Sequence, residues 1–194
     1  RRRLPYPSGI AAVLAFAAFF LWLEPLDRSA AGVLAAVCVL AVFSFIDDRR
    51  PLPAVLRLGL QVLIVVLIFL TGDCTGGRIC SLTNPLEGIL GGPLLELNGT
   101  LPVLALIVTC LWLLLTINAL NWFDGVPGQV STLSFLGFLA IGLLALLRNG
   151  QPEIAVLAFV LAAIALACAV FDVPGPRVIL GDTGAMFFGL MLGV

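Results

Sequence analysis

The 194-residue sequence contains no histidine and no lysine; all ten of its basic residues are arginine. Histidine acid–base chemistry, a histidine-ligated zinc site and a catalytic lysine are therefore excluded within these residues. Charge of either sign is scarce, at 11% of residues against 61% hydrophobic, and the mean hydropathy is +1.19. No soluble domain of this size could cover so much apolar surface with so few charges, so the chain falls in the membrane class. The formal net charge is −1, and with no basic surplus nothing points to nucleic acid. The five cysteines, at 38, 74, 80, 110 and 168, lack zinc-site spacing. Cys38, Cys110 and Cys168 lie in apolar runs and read as packing residues. Cys74 and Cys80 share one polar loop and could pair if that loop faces an oxidising compartment. Arg1, Arg2 and Arg3 before an apolar run imitate a secretory leader, but no small-residue cleavage site follows. The abrupt opening on three arginines and the stop inside an apolar stretch read as a fragment, incomplete at both ends, of a longer membrane protein.

What is abundant is long apolar runs. They span roughly Gly9–Leu23, Ala30–Ile46, Ala54–Thr71, Leu101–Ile117, Ser131–Leu147, Ile154–Phe171 and Met186–Val194. Most are about 17 residues, the low end for a membrane span. Polar backbone cannot stay unpaired in lipid, so each run is expected to be a helix. The expected fold is an all-α polytopic membrane protein, one domain over residues 1–194. It bundles about six to seven transmembrane helices, the first marginal and the last cut short, with no internal repeat and no soluble domain. Alternating spans put Arg1, Arg2, Arg3, Arg49, Arg50, Arg57 and Arg177 on one side and Arg28, Arg78 and Arg148 on the other. Seven against three makes the first side cytoplasmic, provided the short first run is a true span. The loop Gly72–Thr100 falls outside, and its mildly apolar middle, Leu86–Leu97, reads as a hairpin or short surface element without chemistry. Gly189 and Gly193 are spaced for close helix packing, a pattern that also arises by chance.

This topology brings three polar clusters to the cytoplasmic face. In the first, Asn118, Asn121 and Asp124 follow at three-residue spacing and share a helix face if the helix continues through Asn121. Gly125, Pro127 and Gly128 then break the helix and bring backbone N–H groups together. Two amides, a carboxylate and two glycines suit a magnesium ion, a phosphate or both; a polar connector capping two helices is the plainer reading. In the second, Asp47 and Asp48 end a helix, where the macrodipole opposes carboxylates. Adjacent carboxylates also couple, so one can act as a base near neutral pH. In the third, Asp182 stands between Gly181 and Gly184 where a helix enters the membrane; it can cap that helix, or hold a cation while free N–H groups face an anion. All three at one depth, with Arg57 nearby, favour a diphosphate–magnesium site, since acids at a membrane boundary are costly and tend to be functional.

With these residues the chain resembles the polyprenyl-phosphate N-acetylhexosamine-1-phosphate transferases (glycosyltransferase family 4), bacterial lipid-carrier enzymes of cell-envelope synthesis. The matching pieces are Asp47 and Asp48 with Arg57 and Gln61 in the next helix; Asn118, Asn121, Asp124 and Gly125; and Gly181-Asp182-Thr183-Gly184. Arg1–Gly9, with Pro5, Pro7 and Gly9, looks like the family's basic segment after its first helix. The resemblance implies transfer of N-acetylhexosamine-1-phosphate from a UDP-sugar to undecaprenyl phosphate in the bacterial plasma membrane. The products are UMP and the polyprenyl-diphospho-sugar, and Mg2+ is the cofactor. It casts Asp182 and Asn121 as magnesium ligands, Asp47 as the base on the lipid phosphate, and Asp48 and Asp124 as organisers of the site and its protons. Asn118 and Gly125 fall on the substrate side, Gly125 near the nucleotide, with Arg57 contacting a phosphate. An apolar groove between helices suits a prenyl tail, membrane lipids surround the bundle, and a homodimer stays open. Pro127 departs from the Asn or Asp common at that position, and Ser8 replaces a usual glycine. The absence of lysine favours the UDP-N-acetylhexosamine branch over the pentapeptide-transferring one. The other readings are a cation-coupled membrane transporter, or an inactive truncated member acting as a scaffold.

Overall fold

The computed structural model describes residues 8–23, 25–74, 76–82, 95–97, 101–172, 178 and 180–194. The segment 1–7 with Pro5 and Pro7, residues 86–94 of the outer loop, and Arg177 lie outside the described residues, as does the side chain of Arg148. The chain is an all-α polytopic bundle. Its described helices are α1 (Ser8–Leu23), α2 (Arg28–Arg49), α3 (Ala54–Thr71), α4 (Pro102–Phe123), α5 (Gln129–Leu144), α6 (Pro152–Asp172) and α7 (Gly181–Gly193). Helix α5 runs on into a π-helical turn, Ala145–Asn149. Five helices, α2 to α6, are long and apolar enough to cross a membrane, α5 once its continuation to Leu147 is included; α1, with 16 residues, and α7, with 13, are shorter.

These helices are apolar on every side, the signature of a helix surrounded by lipid and other helices. Outward positions carry exposed leucines such as Leu14, Leu63, Leu111 and Leu147. The inward ones form a continuous core that draws on every one of the seven helices. Helix α7 is the axis of that core, packing against α1, α2, α4 and α5. Phe187 and Phe188 are fully buried, with ring centroids 5.4 Å from Phe16 and 6.2 Å from Phe138 respectively. Helix α4 approaches α7 so closely that a Cβ on Gly189 would lie 2.6 Å from the Thr116 carbonyl oxygen. The Gly189/Gly193 spacing thus is a packing face, with Gly193 set against Thr116 and Leu113.

The two ends of the bundle differ in what they hold. At one end, Arg28 donates to the Leu70 carbonyl and Arg78 to the Phe69 carbonyl, so two cations satisfy the last turn of α3. Cys74 and Cys80 form a disulfide there. The Ile79 N–H, one residue before Cys80, donates to Thr109 Oγ1 on α4, 3.0 Å away. A two-residue ladder, β1 (Ser81–Leu82) with β2 (Leu95–Glu96), pairs Ser81 with Glu96 and Leu82 with Leu95. This end also opens into a cavity of about 770 Å³ lined by Phe20, Asp27, Phe138, Glu153 and Met191. The other end holds Asp47, Asp48, Asp124, Asp172 and Asp182.

Candidate active site

Helix α2 carries Asp47 and Asp48 in its last turn, where the helix dipole opposes them. The structure removes that conflict for Asp48 by placing it against the start of another helix. Its Oδ1 accepts the Asp182 N–H at 2.8 Å, and its Oδ2 accepts the Thr183 N–H at 3.3 Å and the Thr183 hydroxyl at 2.7 Å. Helix α7 has no side-chain cap of its own, and its first free N–H groups are taken by a carboxylate 134 residues earlier. The helix begins at Gly181, earlier than the apolar run, so Asp182 lies in its first turn and does not cap it.

Asp47 points inward, with 1% of its side chain exposed. Its Oδ1 accepts the Leu52 N–H at 2.6 Å, and its Oδ2 lies 2.9 Å from Arg57 Nη2. The other Arg57 terminal nitrogen lies 3.7 Å from Asp182 Oδ2. Arg57 therefore bridges two carboxylates that come from opposite ends of the sequence.

Helix α4 does continue through Asn121, ending at Phe123. Asn118 and Asn121, though one turn apart, have different surroundings. Asn118 Nδ2 donates to Gln61 Oε1 at 2.9 Å and to the Leu114 carbonyl at 2.8 Å, while Gln61 Nε2 returns a 3.4 Å bond to Asn118 Oδ1. Gln61 Nε2 also lies 3.8 Å from Met186 Sδ, so this amide pair ties α3, α4 and α7 together inside the bundle. Asn118, expected on the substrate side, thus spends its amide on packing. Asn121 Oδ1, in contrast, is buried without a hydrogen-bond partner. A buried acceptor left unpaired costs about 1–3 kcal/mol, which a bound cation or donor would recover.

Asp124 follows the last residue of α4. Burial above all, then the charges of Asp182, Asp172 and Asp48, push its carboxyl up to about 7. Gly125 is exposed, with open space where a side chain would stand. Gly128, at φ +78°, gives the turn into α5. Its N–H donates to Asp172 Oδ2 at 2.6 Å.

All eight residues expected at the site, Asp47, Asp48, Arg57, Asn118, Asn121, Asp124, Gly125 and Asp182, lie at this end of the bundle. Asp47, Asp48, Arg57 and Asp182 form one linked network. Thr183 joins it through Asp48, while Asp172 stands at the same end bound to the Gly128 N–H; neither was given a role from sequence. A signal for Asp172 existed: it is a carboxylate closing an apolar helix, the feature that drew attention to Asp47 and Asp48. Thr183 lies inside the Gly181–Gly184 motif, which does not by itself say that its hydroxyl binds Asp48. Among the described residues, no three His, Cys, Asp or Glu side chains make a ready metal cluster.

Residues 30–194 match the family model of glycosyl transferase family 4. The chain is 26% identical over 156 residues to the probable undecaprenyl-phosphate N-acetylglucosaminyl 1-phosphate transferase of Bacillus subtilis (strain 168), covering 80% of this chain and 40% of that protein. It is 29% identical over 197 residues to the phospho-N-acetylmuramoyl-pentapeptide-transferase of Moorella thermoacetica, covering 97% and 59%. It is also 29% identical over 170 residues to the decaprenyl-phosphate N-acetylglucosaminephosphotransferase of Mycolicibacterium smegmatis, covering 84% and 39%. The chain spans about half the length of the curated relatives it matches. The family match takes in α2 to α7 and every residue of the carboxylate network, and the protein belongs to glycosyl transferase family 4.

Proposed function

We propose that the protein transfers N-acetylhexosamine-1-phosphate from a UDP-sugar to undecaprenyl phosphate, releasing UMP, at the cytoplasmic face of a bacterial plasma membrane. The observation that carries this reading is the gathering of Asp48, Asp124, Asp172, Asp182 and Arg57 at one end of an apolar bundle. Phosphoryl transfer asks for positioning and charge neutralisation more than for covalent help. The names of the relatives supply the lipid phosphate and the sugar-phosphate donor. The arginine excess that alternating spans assign to this side, and the Cys74–Cys80 disulfide at the other end, support a cytoplasmic site. A cation transporter would more often hold its ionisable groups at mid-membrane, and no observation favours one here.

Magnesium fits the donor set. Asn121 Oδ1 is a buried oxygen without a partner, and the Asp182 carboxylate is a second hard donor. One or two protein ligands completed by substrate phosphates is the usual arrangement for this ion, so a three-acid cluster is not needed. When bound, magnesium would neutralise charge on the diphosphate. Asp48 holds the first turn of α7 and with it the position of Asp182. Arg57, 29% exposed along its side chain, would be the group to meet a phosphate. Asp124, half-buried and pushed up to about 7, is suited to take a proton near neutral pH. Asp47, the expected base, has both oxygens engaged. A phosphate that draws Arg57 away would free Oδ2 for that role.

The test is UMP release by the full-length protein in detergent, with undecaprenyl phosphate, magnesium and a panel of UDP-sugars. Release that requires both lipid and metal supports the reading and names the sugar. No release with any donor, from a protein shown to be folded, sinks it.

A further inference from the structure

Helices α5 and α7 both begin at this end of the bundle, and neither has a side-chain cap of its own. Each receives a carboxylate from the end of a different helix. Asp48, closing α2, serves α7; Asp172, closing α6, serves α5 through the Gly128 N–H. Both acids stand where their own helix dipole opposes them and where the neighbouring dipole favours them. Asp172 is 9% exposed and its bond to Gly128 is 2.6 Å. Charge-assisted bonds of that length are the strong ones, and the burial shields this one from water.

The consequence falls on the connection between α4 and α5. It is short, running from Asp124 to Gly128. Its first residue is held by α4, through the Asp124 N–H to the Asn121 carbonyl at 3.4 Å. Its last is held, among the described side chains, by Asp172, and Gly128 adopts a left-handed conformation. Val126 and Pro127, between the two anchors, are exposed; the Val126 carbonyl accepts the Gln129 N–H at 3.1 Å, and among the described residues no side chain hydrogen-bonds to either.

We propose that Asp172 is a positioning residue of this site, its carboxylate latching Gly128 so that the Asp124–Gly128 loop holds Asp124 in place. This deepens the transferase reading and rests on it for its kinetic consequence; the latch itself does not.

The experiment pairs amide hydrogen exchange with kinetics on the full-length protein in detergent. In the unaltered protein the Gly128 amide should exchange at least about tenfold more slowly than the Val126 amide, as expected for a buried bonded donor. Equal exchange at the two overturns the latch, whether or not any variant folds. In Asp172→Ala, Gly128 should lose that protection and kcat for UMP release should fall about tenfold or more, the scale of one lost charge-assisted bond. Asp172→Asn keeps an acceptor oxygen and should return kcat to within about threefold, with KM for the UDP-sugar little moved in either variant. An Ala variant that folds and keeps both its protection and its kcat refutes the proposal. An Asn variant as impaired as Ala refutes the hydrogen-bonding role. If the unaltered protein releases no UMP, the transferase reading fails while the exchange data still decide the latch.

Discussion

Asp48 and Thr183 lie 135 residues apart in sequence and meet through two hydrogen bonds to one carboxylate oxygen, one from the Thr183 hydroxyl at 2.7 Å and one from its N–H at 3.3 Å. With the Asp182 N–H on the other oxygen, the last turn of α2 caps the first turn of α7. Asp48→Ala should cost about 1–3 kcal/mol, because two backbone donors and a hydroxyl lose their partner. Thr183→Val should cost about 1 kcal/mol, removing only the hydroxyl bond. Thermal unfolding in detergent checks both, and equal losses would show that the backbone bonds contribute nothing.

Asp182 separates chemistry from folding. The bonds to Asp48 come from its backbone, and its carboxylate is partly exposed. Asp182→Asn should therefore leave the melting temperature nearly unchanged while abolishing UMP release at ordinary magnesium concentrations. Normal activity would remove Asp182 from the metal site.

The Gln61–Asn118 pair carries the opposite expectation. Gln61 is 1% exposed, and Gln61→Leu would leave the Asn118 amide short of its partner, a loss of about 1–3 kcal/mol. The double variant with Asn118→Leu should recover much of that, because replacing both partners of a buried pair by apolar groups is nearly neutral. A double-mutant cycle in detergent measures the coupling; simple additivity would show that the two amides act independently.

Asp124 imposes a pH dependence on stability. Its carboxyl, raised to about 7 in the folded protein, binds a proton there that the unfolded chain has already released. With metal chelated, stability should be highest in acid and fall as pH rises from about 4 to about 7, then level off. Asp124→Asn should remove part of that fall, leaving the part due to Asp182, whose carboxyl is pushed up to about 6 by burial and Asp48, and melting curves across the range provide the check. A slope unchanged by the substitution would assign the titration to another group.

The disulfide tests the topology. In sealed cells, a maleimide that cannot cross the membrane should leave Cys74 and Cys80 unlabelled until a reductant is added, and should then label them from outside. A cysteine placed at Arg50 should stay unlabelled from outside. Labelling at Arg50 alone would invert the orientation.

The amino-acid sequence by itself determined the class, the helices and the end of the bundle where the candidate site residues gather. Lipid tolerates no unpaired backbone, so an apolar run of spanning length has one structural outcome. Alternating spans then sort Asp47, Asn121 and Asp182 to one end without knowledge of packing. The composition of three short motifs was enough to recognise the family.

Only the tertiary structure decided what each polar group does. Asn118 and Asn121 are the same residue type on one helix, yet one is absorbed by Gln61 and the other keeps an unpaired oxygen. The start of α7 at Gly181, the bridging position of Arg57 and the roles of Asp48 and Asp172 as caps for helices other than their own depend on which helix ends meet. That is set by close approaches such as Gly189 against Thr116, which apolar runs of nearly equal hydropathy do not encode. Hydrophobicity selects the helices, and packing of their backbones and small residues selects which dipole each carboxylate faces.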